Sequence, residues 1–176
     1  MAQIMPIGDA DEAQVQAFFQ RVPEGDRTFF KEDVLDPDAV RAWTRDTRGR
    51  RAVACEEGTV VGYVAVIPGV GWSSHVGGLR LVVDADQRGK GLGRDLARRG
   101  LLDALELGLS KIVVEVVADQ TAAAGMFQAI GFEPEAMLRS QVRDRTGELR
   151  DLLVLAHHPA DAWSGLATAG IADALG

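Results

Sequence analysis

The chain has 176 residues, of which 47% are hydrophobic and 26% charged, enough for one domain with a sizeable core. Its net charge of −7 and pI near 4.9 argue against general binding to nucleic acid or to an anionic membrane. No apolar run approaches the roughly 18 residues of a membrane span. The N-terminus has no basic segment leading into an apolar one, as a signal peptide would. The single cysteine, Cys55, has no internal disulfide partner, so a reducing cytoplasm is the expected setting.

Residues 3–7 read as a short first strand. Asp9 or Asp11 is positioned to cap a helix running to about Val22, with Val15, Phe18 and Phe19 on its apolar side. Pro23-Glu24-Gly25 breaks that helix. A second begins at Pro37 behind Asp36, with Val40 and Trp43 three apart. Strands over 51–56 and 60–68 flank Glu57-Gly58, a hairpin signal. Residues 69–74 form a Gly/Ser-rich loop expected to be mobile, and 75–83 read as the central strand.

Leu92, Leu96, Ala97, Gly100, Leu101, Ala104 and Leu105 recur at helical spacing, and Gly108 ends that helix. The run KIVVEVVA over 111–118 is a buried strand. A strand–helix–strand unit of this kind implies local parallel pairing. A helix over 119–130, with an Asp or Thr cap, ends at Gly131, and Phe132 begins the next strand. Strands over 137–143 and 148–156 flank the turn at Asp144-Arg145-Thr146-Gly147. Residues 1–158 therefore read as the domain and 159–176 as a helical appendix. The appendix carries Trp163, Leu166 and Ile171 in an apolar stripe, to be covered by its own domain or by a second copy in a homodimer.

The stretch LRLVVDADQRGKGLG over 79–93 organises the rest. It reads as a strand, a tight connection, and a glycine-rich loop opening a helix. Gly89, Gly91 and Gly93 let the backbone approach a ligand with no Cβ in the way. Free N–H groups and the dipole at a helix start make an anion site. Arg88 and Lys90 sit inside it, while Arg98 and Arg99 are better explained as a solvated helix face. A basic island in an acidic chain fits a small polyanion. The spacing is not that of a dinucleotide fingerprint, because Arg94 or Leu96 falls where the last glycine belongs. Nor is it a P-loop, because Gly89-Lys90 is followed by Gly91 rather than by Ser or Thr.

What remains, Arg88-x-x-Gly91-x-Gly93 after an apolar strand, resembles the acetyl-CoA pyrophosphate loop of the GNAT superfamily of N-acetyltransferases. The element order over 51–156 resembles the whole core of that family, and Gly131-Phe132 stands at the family's distance from the loop. The resemblance implies an α/β fold with a mixed, mostly antiparallel sheet of about seven strands and about four flanking helices. The sheet would splay between the cofactor strand and the next. Leu81, Val82 and Val83 would offer main-chain groups to pantetheine. Arg88, Gly89, Lys90, Gly91, Leu92 and Gly93 would hold the pyrophosphate. Gln120, Ala123 and Phe127 fall where the family has Asn, Ala and Tyr. That tyrosine is the usual acid for the leaving thiolate, and Phe127 has no hydroxyl. The only tyrosine, Tyr63, lies in another strand.

The implied reaction moves an acetyl group from acetyl-CoA to a primary amine, of a small molecule or a protein, by direct attack. The main-chain N–H near Val82 would meet the oxyanion. His75 and Glu115 are the candidate bases; imidazoles in general titrate near neutral pH, while Glu115 has a competing role as a satisfied buried carboxylate. Phe29 and Phe30 would wall the acceptor pocket, with Glu32 and Asp33 attracting an ammonium. Cys55, in an apolar strand, reads as core. No His, Cys and Asp cluster has metal-ligand spacing. An acyl-CoA-binding sensor and a different phosphate-ligand enzyme are the rival readings.

Overall fold

The computed structural model describes residues 2–10, 12–27 and 32–159. Among these it contains β1 (Gln3–Pro6), α1 (Glu12–Arg21), α2 (Glu24–Arg27), α3 (Pro37–Trp43), β2 (Arg50–Glu56), β3 (Thr59–Pro68) and β4 (Val76–Val83). There follow α4 (Leu92–Glu106), β5 (Lys111–Val117), α5 (Thr121–Gln128), β6 (Glu133–Arg143) and β7 (Leu149–His157). The strands form one seven-stranded sheet in the order β1-β2-β3-β4-β5-β7-β6. Every neighbouring pair is antiparallel except β4 and β5, which are parallel because α4 carries the chain across the sheet between them. The mixed, mostly antiparallel sheet expected from the sequence is the sheet observed.

Local chemistry accounts for most of the element ends. Asp36 caps α3, its Oδ1 accepting the Asp38 N–H at 3.0 Å, and Pro37 takes the first turn, where no N–H is needed. Glu57 and Gly58 both adopt positive φ, 50° and 78°, as the tight turn between β2 and β3 requires. Pro23-Glu24-Gly25 does break the first helix, since α1 ends at Arg21, but the chain turns again at once: the Pro23 carbonyl accepts the N–H groups of Asp26 and Arg27 at 2.9 and 3.1 Å, and α2 forms. The described helices thus number five rather than four. At α5 the cap position is Gln120, whose side chain makes no capping bond, in place of the expected Asp or Thr.

Two apolar clusters lie on opposite faces of the sheet. On one, Leu92, Leu96, Ala97 and Ala104 of α4 and Phe127 of α5 pack on Val64, Leu79, Val83, Val114 and Val116. The helix lies close because Gly62 and Gly100 leave room. A Cβ on Gly62 would stand 2.7 Å from Leu96 Cδ1, and one on Gly100 2.8 Å from Leu79 Cδ1. On the other face Val15, Phe18 and Phe19 of α1 and Val40 and Trp43 of α3 cover Val53, Tyr63, Ala65 and Val82. Alternate residues of β4 therefore serve different faces: Leu79 and Val83 one, Val82 the other. The predicted helix in 159–176, with its dimer reading, lies outside the described residues beyond Pro159.

Candidate active site

The site begins where two parallel strands part. β4 and β5 pair only over four positions, from Val76↔Lys111 to Leu79↔Val114. Beyond that point β4 stays bonded to β3 as far as Val83↔Gly62, and β5 to β7 as far as Val117↔Leu152. Each strand keeps its outer neighbour and loses its inner one, so the sheet opens into a gap. A cleft of about 830 Å³ fills it, within the range of a ligand site. Its walls include Leu81, Val82 and Val83 from β4, Val113 through Val116 from β5, and Gln120, Ala123, Met126 and Phe127 around α5.

At one end of the cleft lies the glycine loop. Gly89 and Gly91 take φ of 74° and 91°, in the left-handed region that glycine adopts without strain. A Cβ on either would meet no atom within 4 Å, so the loop presents open space lined by backbone. The first donors to turn back into α4 are the Arg94 and Asp95 N–H groups, both onto the Gly91 carbonyl at 3.0 and 3.2 Å. The N–H groups ahead of them belong to the unsatisfied start of the helix, where an anion is stabilised. Arg88, Gly89, Gly91, Gly93 and Arg94 line the cleft. Lys90 instead donates to Gln87 Oε1 at 3.2 Å, and Leu92 is buried in the core beneath. The Arg88 guanidinium is already engaged, by the Asp26 carboxylate of α2 and by the Val83 carbonyl at 3.3 Å. Glu24, on the same short helix, pairs with Arg145 of the β6–β7 turn at 2.7 Å. Helix α2 thus straps the cradle to the far hairpin.

Arg80 and Glu115 each stand one residue past the last β4–β5 pair, and both line the cleft. Since Leu79 and Val114 face α4, alternation turns Arg80 and Glu115 to the opposite face. Glu115 is exposed, which corrects the reading of a buried carboxylate. Arg80 pairs with Glu32 at 2.8 Å, and Glu32 with Arg51 at 3.4 Å. The Arg51 side chain is 4% exposed, reaches Asp46 at 3.0 Å and lies 5.5 Å from the centre of the Trp43 ring. Burial works to raise the Asp46 carboxyl, but the Arg48 amide and the Arg51 guanidinium outweigh it and hold the group below its usual range. Tyr63 is fully buried against this network, and burial pushes its phenol well up despite the opposing charge of Arg51.

Other expected site residues fall elsewhere. His75 sits in an exposed turn ahead of β4, outside the cleft lining, because the strand starts one residue later than the sequence suggested. Glu32 is held between two arginines, so its charge is not free for an ammonium. Asp33 is exposed and accepts the Leu35 N–H at 3.1 Å, a local turn bond. Phe29 and Phe30 lie outside the described residues. His157 ends β7 buried, its Nδ1 2.8 Å from the Gly131 carbonyl, locking the turn before Phe132. Cys55 lies in β2, where burial raises its thiol. No group of metal-ligating side chains occurs among the described residues. Sequence reasoning missed Asp26, Arg80 and Met126. Of these only Arg80 left a signal: a cation in the middle of an apolar strand.

A family model described as "Acetyltransferase (GNAT) family" matches residues 14–132. The chain belongs to the GNAT acetyltransferase family. The match spans every residue that lines the cleft. Over 130 residues the chain is 32% identical to mycothiol acetyltransferase from Kocuria rhizophila, a match covering 72% of this chain and 35% of that protein. The chain thus spans about a third of that relative's length. Ribosomal-protein-alanine N-acetyltransferase from Brucella melitensis shares the fold, with a TM-score of 0.76 at 23% identity over 89% of this chain and 99% of that one. So does yncA from Salmonella typhimurium, solved with acetyl-CoA, with a TM-score of 0.76 at 20% identity over 90% of this chain and 94% of that one.

GNAT acetyltransferases use acetyl-CoA, and this cleft suits it. The open, positive-φ backbone at Gly89 and Gly91 is a cradle that any Cβ would fill, and the cations around it match a pyrophosphate. The gap beside Leu81, Val82 and Val83 runs from that cradle toward Glu115. Phe127, 4% exposed and edge-on to Phe132 at 5.3 Å, closes the apolar side where this GNAT chain lacks the tyrosine of the family pattern. No helix of the described residues is long and apolar enough to cross a membrane.

Proposed function

We propose that this chain transfers an acetyl group from acetyl-CoA to a primary amine by direct attack within the splay. The observation that carries the reading is the gap itself: a phosphate cradle opens into it at one end, and the Glu115 carboxylate lines it on β5. Acetyl-CoA supplies a thioester that a neutral amine attacks. A lysine-like amine has a pKa of about 10.4 and must lose a proton first. Glu115 takes that proton, directly or through a water. The Gly89 to Gly93 backbone, with the Arg88 side chain beside it, grips the pyrophosphate. Leu81 and Val83 align pantetheine through their main chain, with Gln120 and Ala123 on the facing wall. The Val82 N–H meets the charge that develops on the carbonyl oxygen.

Phe127 supplies no proton to the leaving thiolate, and Tyr63 is too deeply buried to do so. A thiol pKa near 8.5 makes the thiolate a fair leaving group without help. The names of the relatives, mycothiol and ribosomal-protein-alanine acetyltransferases, support acyl transfer and leave small and protein amines equally open. The single cysteine suits a cytoplasmic setting.

The test is release of free thiol from acetyl-CoA against a panel of amines. Wild type turns over, and Glu115→Gln loses about 10²–10⁴-fold in kcat/KM while keeping its thermal stabilisation by acetyl-CoA. Full activity in Glu115→Gln would remove it as the base. The missing hydroxyl at Phe127 favours a second reading, an acyl-CoA sensor. Tight cofactor binding without turnover of any amine would select it.

A further inference from the structure

Arg80 is a cation fixed in the wall of the cleft that acetyl transfer itself does not use. Its Nη1 is shielded from solvent and 2.8 Å from Glu32 Oε2, an ion pair whose angle falls outside hydrogen bonding. Glu32 is clamped in turn by Arg51, which is buried against Trp43 and tied to Asp46 at 3.0 Å. This chain of contacts sets the position of Arg80 from behind. About a quarter of the Arg80 side chain, 24%, stays exposed. Among the described residues Glu32 is the one carboxylate it pairs with.

A guanidinium carries five donors in a planar fork. Glu32 stands against Nη1, and Arg80 lines the cleft with part of its side chain exposed, which leaves its other donors for a ligand there. A pre-positioned fork of that kind suits a carboxylate, which accepts two parallel N–H bonds. Arg80 and Glu115 flank the mouth of the splay on the same sheet face, one residue beyond its last pair. They offer a cation and an anion to one small molecule. We propose that Arg80 binds a carboxylate on the acceptor. The acceptor is then a small amine that itself bears a carboxylate, of the α-amino-acid class, with its amine turned toward Glu115. This rests on the acetyltransferase reading above. A protein N-terminus would bring only a neutral carbonyl to the same place.

The experiment compares the common α-amino acids with their carboxamides as acceptors, by thiol release at saturating acetyl-CoA. Hydrogen bonds to a charged group are worth enough that the best acid should exceed its amide about 10- to 100-fold in kcat/KM. The amide has the less basic amine and more free base at neutral pH, so a bias toward the acid runs against intrinsic reactivity. Arg80→Gln should bring the ratio close to one with the acetyl-CoA thermal shift intact, and Arg80→Lys should retain part of it. Equal use of acid and amide, preference for peptide amines, or a preference that survives Arg80→Gln would overturn the proposal while leaving the acetyltransferase reading in place. Calorimetric titration of the same amino acids into the protein with free CoA separates the two further, because it needs no turnover. Binding that requires both the carboxylate and Arg80 supports the proposal even in a chain that turns nothing over. Absence of such binding for every amino acid that turns over refutes it.

Discussion

Replacing Gly91 by alanine separates the backbone role of the cradle from its ligand role. Gly91 has φ of 91°, and a Cβ there meets no atom within 4 Å. The cost in the free protein is therefore backbone strain alone, about 1–2 kcal/mol for an L-residue held left-handed. For a chain of this size that lowers Tm by about 2–8 °C. With acetyl-CoA the loss should be larger, because the added methyl stands in the open space that the pyrophosphate needs. At about 100 times its Kd, acetyl-CoA stabilises wild type by roughly 2.7 kcal/mol. A variant binding about 100-fold more weakly keeps only about 0.4 kcal/mol at that concentration. Gly108→Ala is the matched control: φ is 69°, a Cβ again meets nothing within 4 Å, and the residue lies beyond the other end of α4. It should show the same strain and the full ligand shift. Thermal unfolding of the three proteins with and without acetyl-CoA reads all of this. If Gly91→Ala keeps the wild-type ligand shift, or Gly108→Ala loses it, the cradle argument is wrong.

Phe127→Tyr should raise kcat, up to about 10²-fold, by returning a proton donor to the leaving thiolate. It should also destabilise the free protein by about 1–3 kcal/mol, because the hydroxyl enters an apolar site; an unchanged kcat would mean that thiolate departure does not limit the rate. Asp26→Ala releases Arg88 from its ion pair, so acetyl-CoA should bind a few-fold more tightly by calorimetry, and weaker binding would show that Asp26 orients Arg88 rather than competing for it. The depressed Asp46 carboxyl makes an acid-side prediction. A folded pKa below the unfolded value, about 3.9, contributes stability that is complete above that value and disappears as pH falls through the folded one. Asp46→Asn should therefore flatten the fall in stability below about pH 4 in urea titrations, and an unaltered slope would refute the linkage.

The glycine loop and the elements around it were readable in the sequence because their determinants are local. Helical period in α4, the positive φ of Gly89 and Gly91, and Gly131 before Phe132 are all decided by neighbours within a few residues, whereas Gly93 takes no positive φ. The acceptor side was not readable, for the opposite reason. Glu32, Arg51 and Arg80 are separated by 19 and then 29 residues in sequence; the pairing of β2, β3 and β4 sets Arg51 and Arg80 on either side of Ala65, and the segment ahead of α3 brings Glu32 to both. Sequence showed Glu32 as a free acid near the acceptor, whereas packing turns it into the clamp between two arginines. His75 failed on a smaller scale. A shift of one residue at the start of β4 is enough to leave it in a turn outside the cleft.

The magnitudes of these contacts decide which wall of the cleft moves. The pairs that hold α2, Asp26–Arg88 and Glu24–Arg145, join side chains between 25% and 58% exposed. Exposed pairs are worth about 0–1 kcal/mol each, less than the binding energy of a micromolar cofactor, about 8 kcal/mol. A pyrophosphate arriving at Arg88 can displace Asp26 and shift α2 at little cost. The opposite wall rests on Arg51, 4% exposed between Asp46 and Glu32. Removing one partner from a buried pair of that kind costs about 3–5 kcal/mol, so ligand binding does not rearrange it. The cofactor side should therefore adapt while the acceptor side is preformed. On the proposed acetyl transfer, α2 is the wall that yields to the cofactor, and the acceptor meets a wall already set by Arg51, Glu32 and Arg80.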